Sequence, residues 1–278
     1  MLPAQLDYAA PTTITDAVAA LSAQPDALLI TGSGRAITDL KMRRIAPRLL
    51  IDLRKIPGLL GIVDDGSRLR IGALTTLRAL TDDKTIQSRY AALAEAAAAS
   101  GDPQMRNMET VGGNLTYDAG SSDIAVALLA LNADLHVVGS RGERTVSAYD
   151  AVTGGTLAHD DIIIAVSLPS KATNSAYEKF EHPATLAPVC GVAVSVETGA
   201  NGTVVAAVLG VVGATQRPTR LKRAEETLSG QPLDDDSIST AASVAADGLE
   251  TVTDLQFSGD YRAHFVRVLL KRALTRLA

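Results

Sequence analysis

Residues Arg106–Leu135 read RNMETVGGNLTYDAGSSDIAVALLALNADL. The nearly unbroken apolar run Asp123–Leu131 predicts a buried helix, and Asp134–Val138 after it predicts a strand. Ahead of the helix, Thr110, Val111, Gly112, Gly113 and Asn114 set a hydroxyl and an amide around two adjacent glycines, which let a backbone approach a ligand closely. A bare Gly-Gly turn is the plain alternative. Asp123 either caps the helix starting at Ile124 or hydrogen-bonds the hydroxyls of a cofactor. The whole approach, Gly101–Ser122, lacks periodicity and is expected to be a long functional loop.

Working back from that loop, Ser88–Ser100 (SRYAALAEAAAAS) is rich in the best helix former and ends at Gly101. Thr75 or Thr76 opens a shorter helix, and Gly61–Gly72 reads as a hairpin turning at Asp65-Gly66. Pro47–Leu53 and Ala27–Ile30 read as strands, and Thr12 or Thr13 caps a helix carrying Ala17, Val18 and Leu21. The Ala27–Ile30 strand runs straight into TGSGRAIT, residues Thr31, Gly32, Ser33, Gly34, Arg35, Ala36, Ile37 and Thr38. Glycines after a strand, with hydroxyls beside them, make a plausible nest for a pyrophosphate. Gly-Ser-Gly is also an ordinary turn. It is not a dinucleotide fingerprint of the G-x-G-x-x-G kind, because Ile37 stands three beyond Gly34 and no second βαβ unit with its acidic residue is evident. No Gly-Lys-Ser/Thr follows, which excludes a P-loop.

Working forward, Ser140–Glu143 reads as a turn, with strands at Arg144–Ala148 and Ile162–Leu168. After the polar link Pro169–Ser175, strands at Tyr177–Phe180, Val189–Glu197 and Val204–Val212 precede helices near Arg220–Ser229, Ser237–Gly248 and Asp260–Leu277. Strands followed by helices predict a separate α+β domain. On the last helix Phe265, Leu269, Ala273 and Leu277 share a face, and Arg262, Arg272 and Arg276 are expected to point elsewhere. Lys179, in YEKF, reads as a solvated strand residue, and Cys190, in PVCGVAV, as a small buried hydrophobe.

Composition sets the outer limits. The 278 residues suffice for two or three compact units, and 46% apolar with 21% charged residues is the profile of a globular protein. A net charge of -5 and three phenylalanines without tryptophan argue against nucleic acid as a partner. One cysteine excludes an internal disulfide and a Cys-ligated iron-sulfur or zinc site, and suits a reducing cytoplasm. No export signal or membrane span is expected. None of His136, His159, His182 or His264 falls in a triad-like pattern, so no catalytic residue and no metal ligand is assigned.

Four stretches taken together resemble one family from nearly end to end. They are Thr31–Arg43 (TGSGRAITDLKMR), Leu50–Leu59 (LIDLRKIPGL), Leu69–Leu77 (LRIGALTTL) and Arg106–Leu135. In order and spacing they resemble the flavoprotein, or medium, subunit of the xanthine dehydrogenase and carbon monoxide dehydrogenase family of molybdenum hydroxylases. The resemblance implies an α+β chain with a two-part FAD-binding domain of the vanillyl-alcohol oxidase (PCMH) type over residues 1–170, divided at about 55. A C-terminal α+β domain, a three-stranded sheet with helices, follows over 175–278. It further implies that Thr31–Thr38 and Thr110–Asn114 clamp the FAD pyrophosphate, that Asp123 is the family's downstream acidic residue, that Ile162 makes a backbone contact, and that Lys179 contacts the flavin. Ser33 and Arg35 depart from the residues the family commonly carries there.

The function implied is electron transfer from two-iron two-sulfur clusters through FAD to a final acceptor. The lone cysteine cannot ligate a cluster. A small iron-sulfur subunit and a large molybdopterin subunit are therefore the expected partners, assembled as a dimer of heterotrimers. A stand-alone FAD oxidoreductase of the vanillyl-alcohol oxidase type and a flavin-free structural subunit are the alternatives.

Overall fold

The computed structural model describes residues 2–32, 34–116, 119–172 and 174–278. The first unit is a small parallel sheet with its helices, β1 (Asp7–Ala9), α1 (Ile14–Ala23), β2 (Leu28–Ile30), α2 (Arg35–Lys41) and β3 (Leu49–Asp52), in strand order β1-β3-β2. Thr13 caps α1, its hydroxyl accepting from the Asp16 amide at 3.1 Å, and Ala17 and Leu21 bury against Ile51 and Leu53. Because α2 begins at Arg35, the latter half of the stretch read as the glycine loop Thr31–Thr38 is helical, within a parallel β2–α2–β3 connection. The strands flanking the helices are three or four residues long and carry little periodic signal.

The second unit begins with the expected hairpin of β4 (Ile62–Asp64) and β5 (Arg68–Gly72), then α3 (Leu77–Asp82), α4 (Lys84–Arg89) and α5 (Ala91–Ala99). The single helix expected over 88–100 breaks at Tyr90. That ring is fully buried and its hydroxyl donates to the Pro169 carbonyl at 2.5 Å, an anchor that holds the residue out of helical geometry. The stretch expected to be unpatterned contains α6 (Pro103–Met108), capped by Asp102, and α7 (Val111–Thr116). Next come α8 (Asp123–Ala130), β6 (Asp134–Gly139), β7 (Gly142–Ser147), α9 (Ala148–Thr153) and β8 (Ile162–Pro169). The five strands form one antiparallel sheet in the order β4-β5-β8-β6-β7.

The third unit comprises β9 (Asn174–Glu181), β10 (Pro188–Thr198), β11 (Val204–Val212), the two-residue edge strand β12 (Thr219–Arg220), and α10 (Lys222–Leu228), α11 (Asp235–Val244) and α12 (Gly259–Thr275). Its antiparallel sheet is covered on both faces, which is why β10 reads as a continuous apolar run. Cys190, Val192, Val194 and Val211 face the three helices, whereas Tyr177, Ala193, Val208 and Val212 join the core that surrounds α8. Every residue of α8 is buried, and its four largest apolar side chains contribute roughly 1.5–3 kcal/mol each. Arg262 departs from expectation. It turns inward from α12 and donates to the carbonyls of Val189 and Gly213 at 2.6 and 2.7 Å, with Asp254 as its counter-charge. Among the described residues no helix is long and apolar enough to cross a membrane.

Candidate functional site: a cleft between two glycine loops

The two glycine-bearing segments, far apart in sequence, meet in space. The Thr110 hydroxyl donates to the Thr31 hydroxyl at 2.8 Å across a separation of 79 residues. The approach depends on missing side chains. A Cβ on Gly113 would stand 2.9 Å from Thr31 Oγ1 and 3.2 Å from Thr110 Oγ1, and one on Gly32 would run into the Met108 carbonyl oxygen. Gly34, at φ +108°, occupies backbone territory that L side chains rarely adopt and starts α2.

The second segment is pinned from behind. Val111 N–H donates to the Thr75 carbonyl at 3.0 Å and Gly112 N–H to that of Ala73 at 2.8 Å. Glu109 accepts from the Leu77 amide at 3.0 Å. These bonds fix α7 against the end of β5 and leave Gly113 N–H resting on the Thr110 hydroxyl at 3.2 Å, a partner that can rotate. Asn114 is held by its own bonds to Thr110 O and Ser122 Oγ at 3.1 and 3.0 Å.

Between the segments lies an open cleft, about 1040 Å³ counting the solvent at its mouth. Thr31, Gly32, Gly34, Arg35, Ala36, Ile37, Thr110, Gly112, Gly113, Asn114, Asp123 and Ile162 all line it. Thr38 is exposed on α2 and Val111 is buried in the core, both outside the lining, and Ser33 lies outside the described residues. Arg35 pairs with Asp39 at 3.7 Å.

Asp123 sits at the first position of α8. The cap is Ser122, whose hydroxyl accepts from Ala125 N–H at 3.2 Å, so the capping role considered for Asp123 falls to its neighbour. The Asp123 carboxylate instead accepts from Tyr177 Oη and, at 2.9 Å, from Lys179 Nζ. Lys179 is the reverse of a solvated strand residue. Its side chain is 5% exposed, and the ammonium also donates to the carbonyls of Ala99 at 2.8 Å and Leu186 at 2.7 Å. Burial pushes the Asp123 carboxyl up to about 6 against the pull of the lysine, and burial with the neighbouring carboxylate raises the Tyr177 phenol well above its ordinary value.

Several lining residues had escaped the sequence reading. Ser100 and Gly101 follow α5, Met105 lies on α6 and Glu109 just after it, and Thr185, Leu186 and Ala187 enter from the β9–β10 turn with Pro188 at the head of β10. Leu186 holds φ +58°, an uncommon left-handed conformation for a leucine, and its carbonyl is one of the acceptors of Lys179. No local pattern marks these residues, because the cleft is assembled from turns of all three units.

A cleft walled by close-approach glycines and hydroxyls suits a phosphate-bearing cofactor. Residues 4–171 match the family of the FAD binding domain in molybdopterin dehydrogenase, and residues 175–277 match the CO dehydrogenase flavoprotein C-terminal domain. The carbon monoxide dehydrogenase medium chain of Hydrogenophaga pseudoflava is 31% identical over 99% of this chain and 97% of its own. The xanthine dehydrogenase FAD-binding subunit of Escherichia coli O157:H7 is 28% identical, over 96% and 94% respectively. A solved structure of carbon monoxide dehydrogenase from Hydrogenophaga pseudoflava superposes with a TM-score of 0.92 at 30% identity, covering 99% of this chain and 98% of that one. The chain belongs to the FAD-binding medium subunits of the molybdenum hydroxylase family, of the carbon monoxide and xanthine dehydrogenase type.

Proposed function

We propose that this chain is the electron-transfer subunit of a molybdenum hydroxylase, passing electrons from two-iron two-sulfur clusters of a small partner subunit to a final acceptor. A large molybdopterin subunit completes the unit, and two such heterotrimers pair. The observation that carries the cofactor assignment is one cleft lined both by Thr31, Gly32, Gly34, Arg35, Ala36 and Ile37 and by Thr110, Gly112, Gly113 and Asn114. Bound there, FAD supplies the ability to take electrons singly and release them in pairs.

The residues around the cleft divide the work of holding it. Thr31, Thr110 and the Gly113 amide present donors for a pyrophosphate, and Gly32, Gly34 and Gly113 let the backbone come close. Asp123 offers a fixed acceptor to cofactor hydroxyls, while Ile162, Ile163 and Leu186 exclude water. Lys179 keeps a positive charge just behind the wall, where it favours electron-rich forms of a bound ring system. The test is flavin content. Gly113→Glu crowds Thr31 Oγ1, which even a Cβ would approach to 2.9 Å, and brings a negative charge to the segment; it should abolish FAD binding with the fold retained, whereas Arg35→Ser should keep it. Full flavin occupancy in purified Gly113→Glu protein refutes the assignment. Co-purification with iron-sulfur and molybdopterin subunits tests the assembly.

A further inference from the structure

The stretch Arg217–Arg223 reads RPTRLKR, four cations and no carboxylate within seven residues of a chain whose net charge is -5. It forms one wall of a second cleft, about 830 Å³ including its mouth, that shares no lining residue with the FAD cleft. The opposite walls are Tyr149 and Thr153 of α9 and Ala245, Asp247, Gly248 and Leu249 beyond α11. The cleft therefore lies on the seam between the second and third units.

The wall is organised before any ligand arrives. The Arg217 carbonyl accepts from the hydroxyls of Thr215 and Thr219 at 2.7 and 2.9 Å, which fixes the turn, and its guanidinium lies against Gly154 in the space a Cβ would take. Arg220 is bidentate to Glu225 at 2.9 and 2.7 Å and stands 6.0 Å from the centre of the Tyr149 ring. Arg217, Lys222 and Arg223 have no carboxylate or other side-chain partner among the described residues, and all three are exposed. The acid on the rim, Asp247, pairs with Arg267 at 3.5 Å.

We propose that this cleft is a second ligand site, for a phosphate-bearing small molecule. Two guanidinium forks and an ammonium, on the seven residues that run through β12 into the first turn of α10, carry more charge than a single carboxylate neutralises, and both side-chain types suit phosphate oxygens. Tyr149, 36% exposed beside them, offers a ring on which a base can stack.

The experiment is calorimetric titration of the FAD-loaded full chain, so that the cofactor cleft is already filled, with pyrophosphate and with ADP at low ionic strength. Saturable one-to-one binding that weakens with added salt is expected. Tighter binding of ADP, by roughly tenfold, identifies a nucleotide, and equal affinities identify a phosphate without a base. Lys222→Ala and Arg223→Ala should each weaken binding roughly tenfold, and the Arg217→Ala/Lys222→Ala/Arg223→Ala variant should abolish it with flavin content and circular dichroism unchanged. Absence of saturable binding by either probe, or binding undiminished in the triple variant, overturns the proposal.

Discussion

Lys179 has three N–H donors, and the chain supplies Asp123, the Ala99 carbonyl and the Leu186 carbonyl as acceptors. One ammonium thus ties the end of α5, the start of α8 and the β9–β10 turn, three walls of the cleft. Removing one member of a buried pair strands the other charge, at roughly 3–5 kcal/mol. Lys179→Met should lose about that much stability to urea at pH 7, and adding Asp123→Leu should restore most of it. Equal stability of Lys179→Met and the parent would remove the fastening role. The sequence offered YEKF as an alternating strand, and the register of β9 against β10 does place Lys179 opposite Gly191. That alternation could not say that the face would be covered by α5 and α8, because burial of a lysine is decided by distant partners.

At the scale of elements, the three-residue strand β1 survives through one side-chain knot. Tyr8 Oη donates to Asp52 Oδ2 at 2.7 Å, and Arg54 binds the same carboxylate through Nε at 3.0 Å and Nη2 at 2.7 Å. The Arg54 hydrogen bonds lower the Asp52 carboxyl to about 2 from its ordinary 3.8. A depressed folded value stabilises above the unfolded one and is lost as pH falls from about 4 to 2, a difference of about 2 kcal/mol. Asp52→Asn should therefore be less stable than the parent at pH 7, and urea melts at pH 3 should show the gap shrinking. Asp123 runs the other way, since a folded value of about 6 means that its contribution declines as pH rises from about 4 to 6. Capped helices were legible where caps and apolar spacing agreed, as at Thr13 and Thr76. Asp102-Pro103 and Ser147 carried start signals too, but α6 and α9 have six residues each, too few to show a period. The glycine loops were readable as chemistry from their residues, and their meeting only through the family resemblance, since contact between Thr31 and Thr110 is a property of the assembled units.

For the whole molecule the decisive element is α8. It belongs by sequence to the second unit, yet a core shared with Tyr177, Ala193, Val208 and Val212 makes it equally part of the third. Gly210 faces it so closely that an added Cβ would stand 2.8 Å from Val126. Glu95 strengthens the union, accepting from the Tyr177 amide at 2.8 Å and pairing with Arg276 of the C-terminal helix. Units joined through one core should unfold together. Far-ultraviolet and near-ultraviolet circular dichroism are expected to give coincident, single denaturant transitions, and two separated transitions would contradict the shared core.

Cys190 lies at the start of β10 with no exposed surface, and burial pushes its thiol up to about 12. As the chain's sole sulfhydryl it is a stoichiometric clock for the opening of its centre. A thiol reagent should leave the native protein untouched and modify one group per chain, at a rate proportional to the population in which β10 is released from α12. The same label that measures folding therefore reports, at a residue the chain already carries, how firmly an occupied cleft would close the molecule around it.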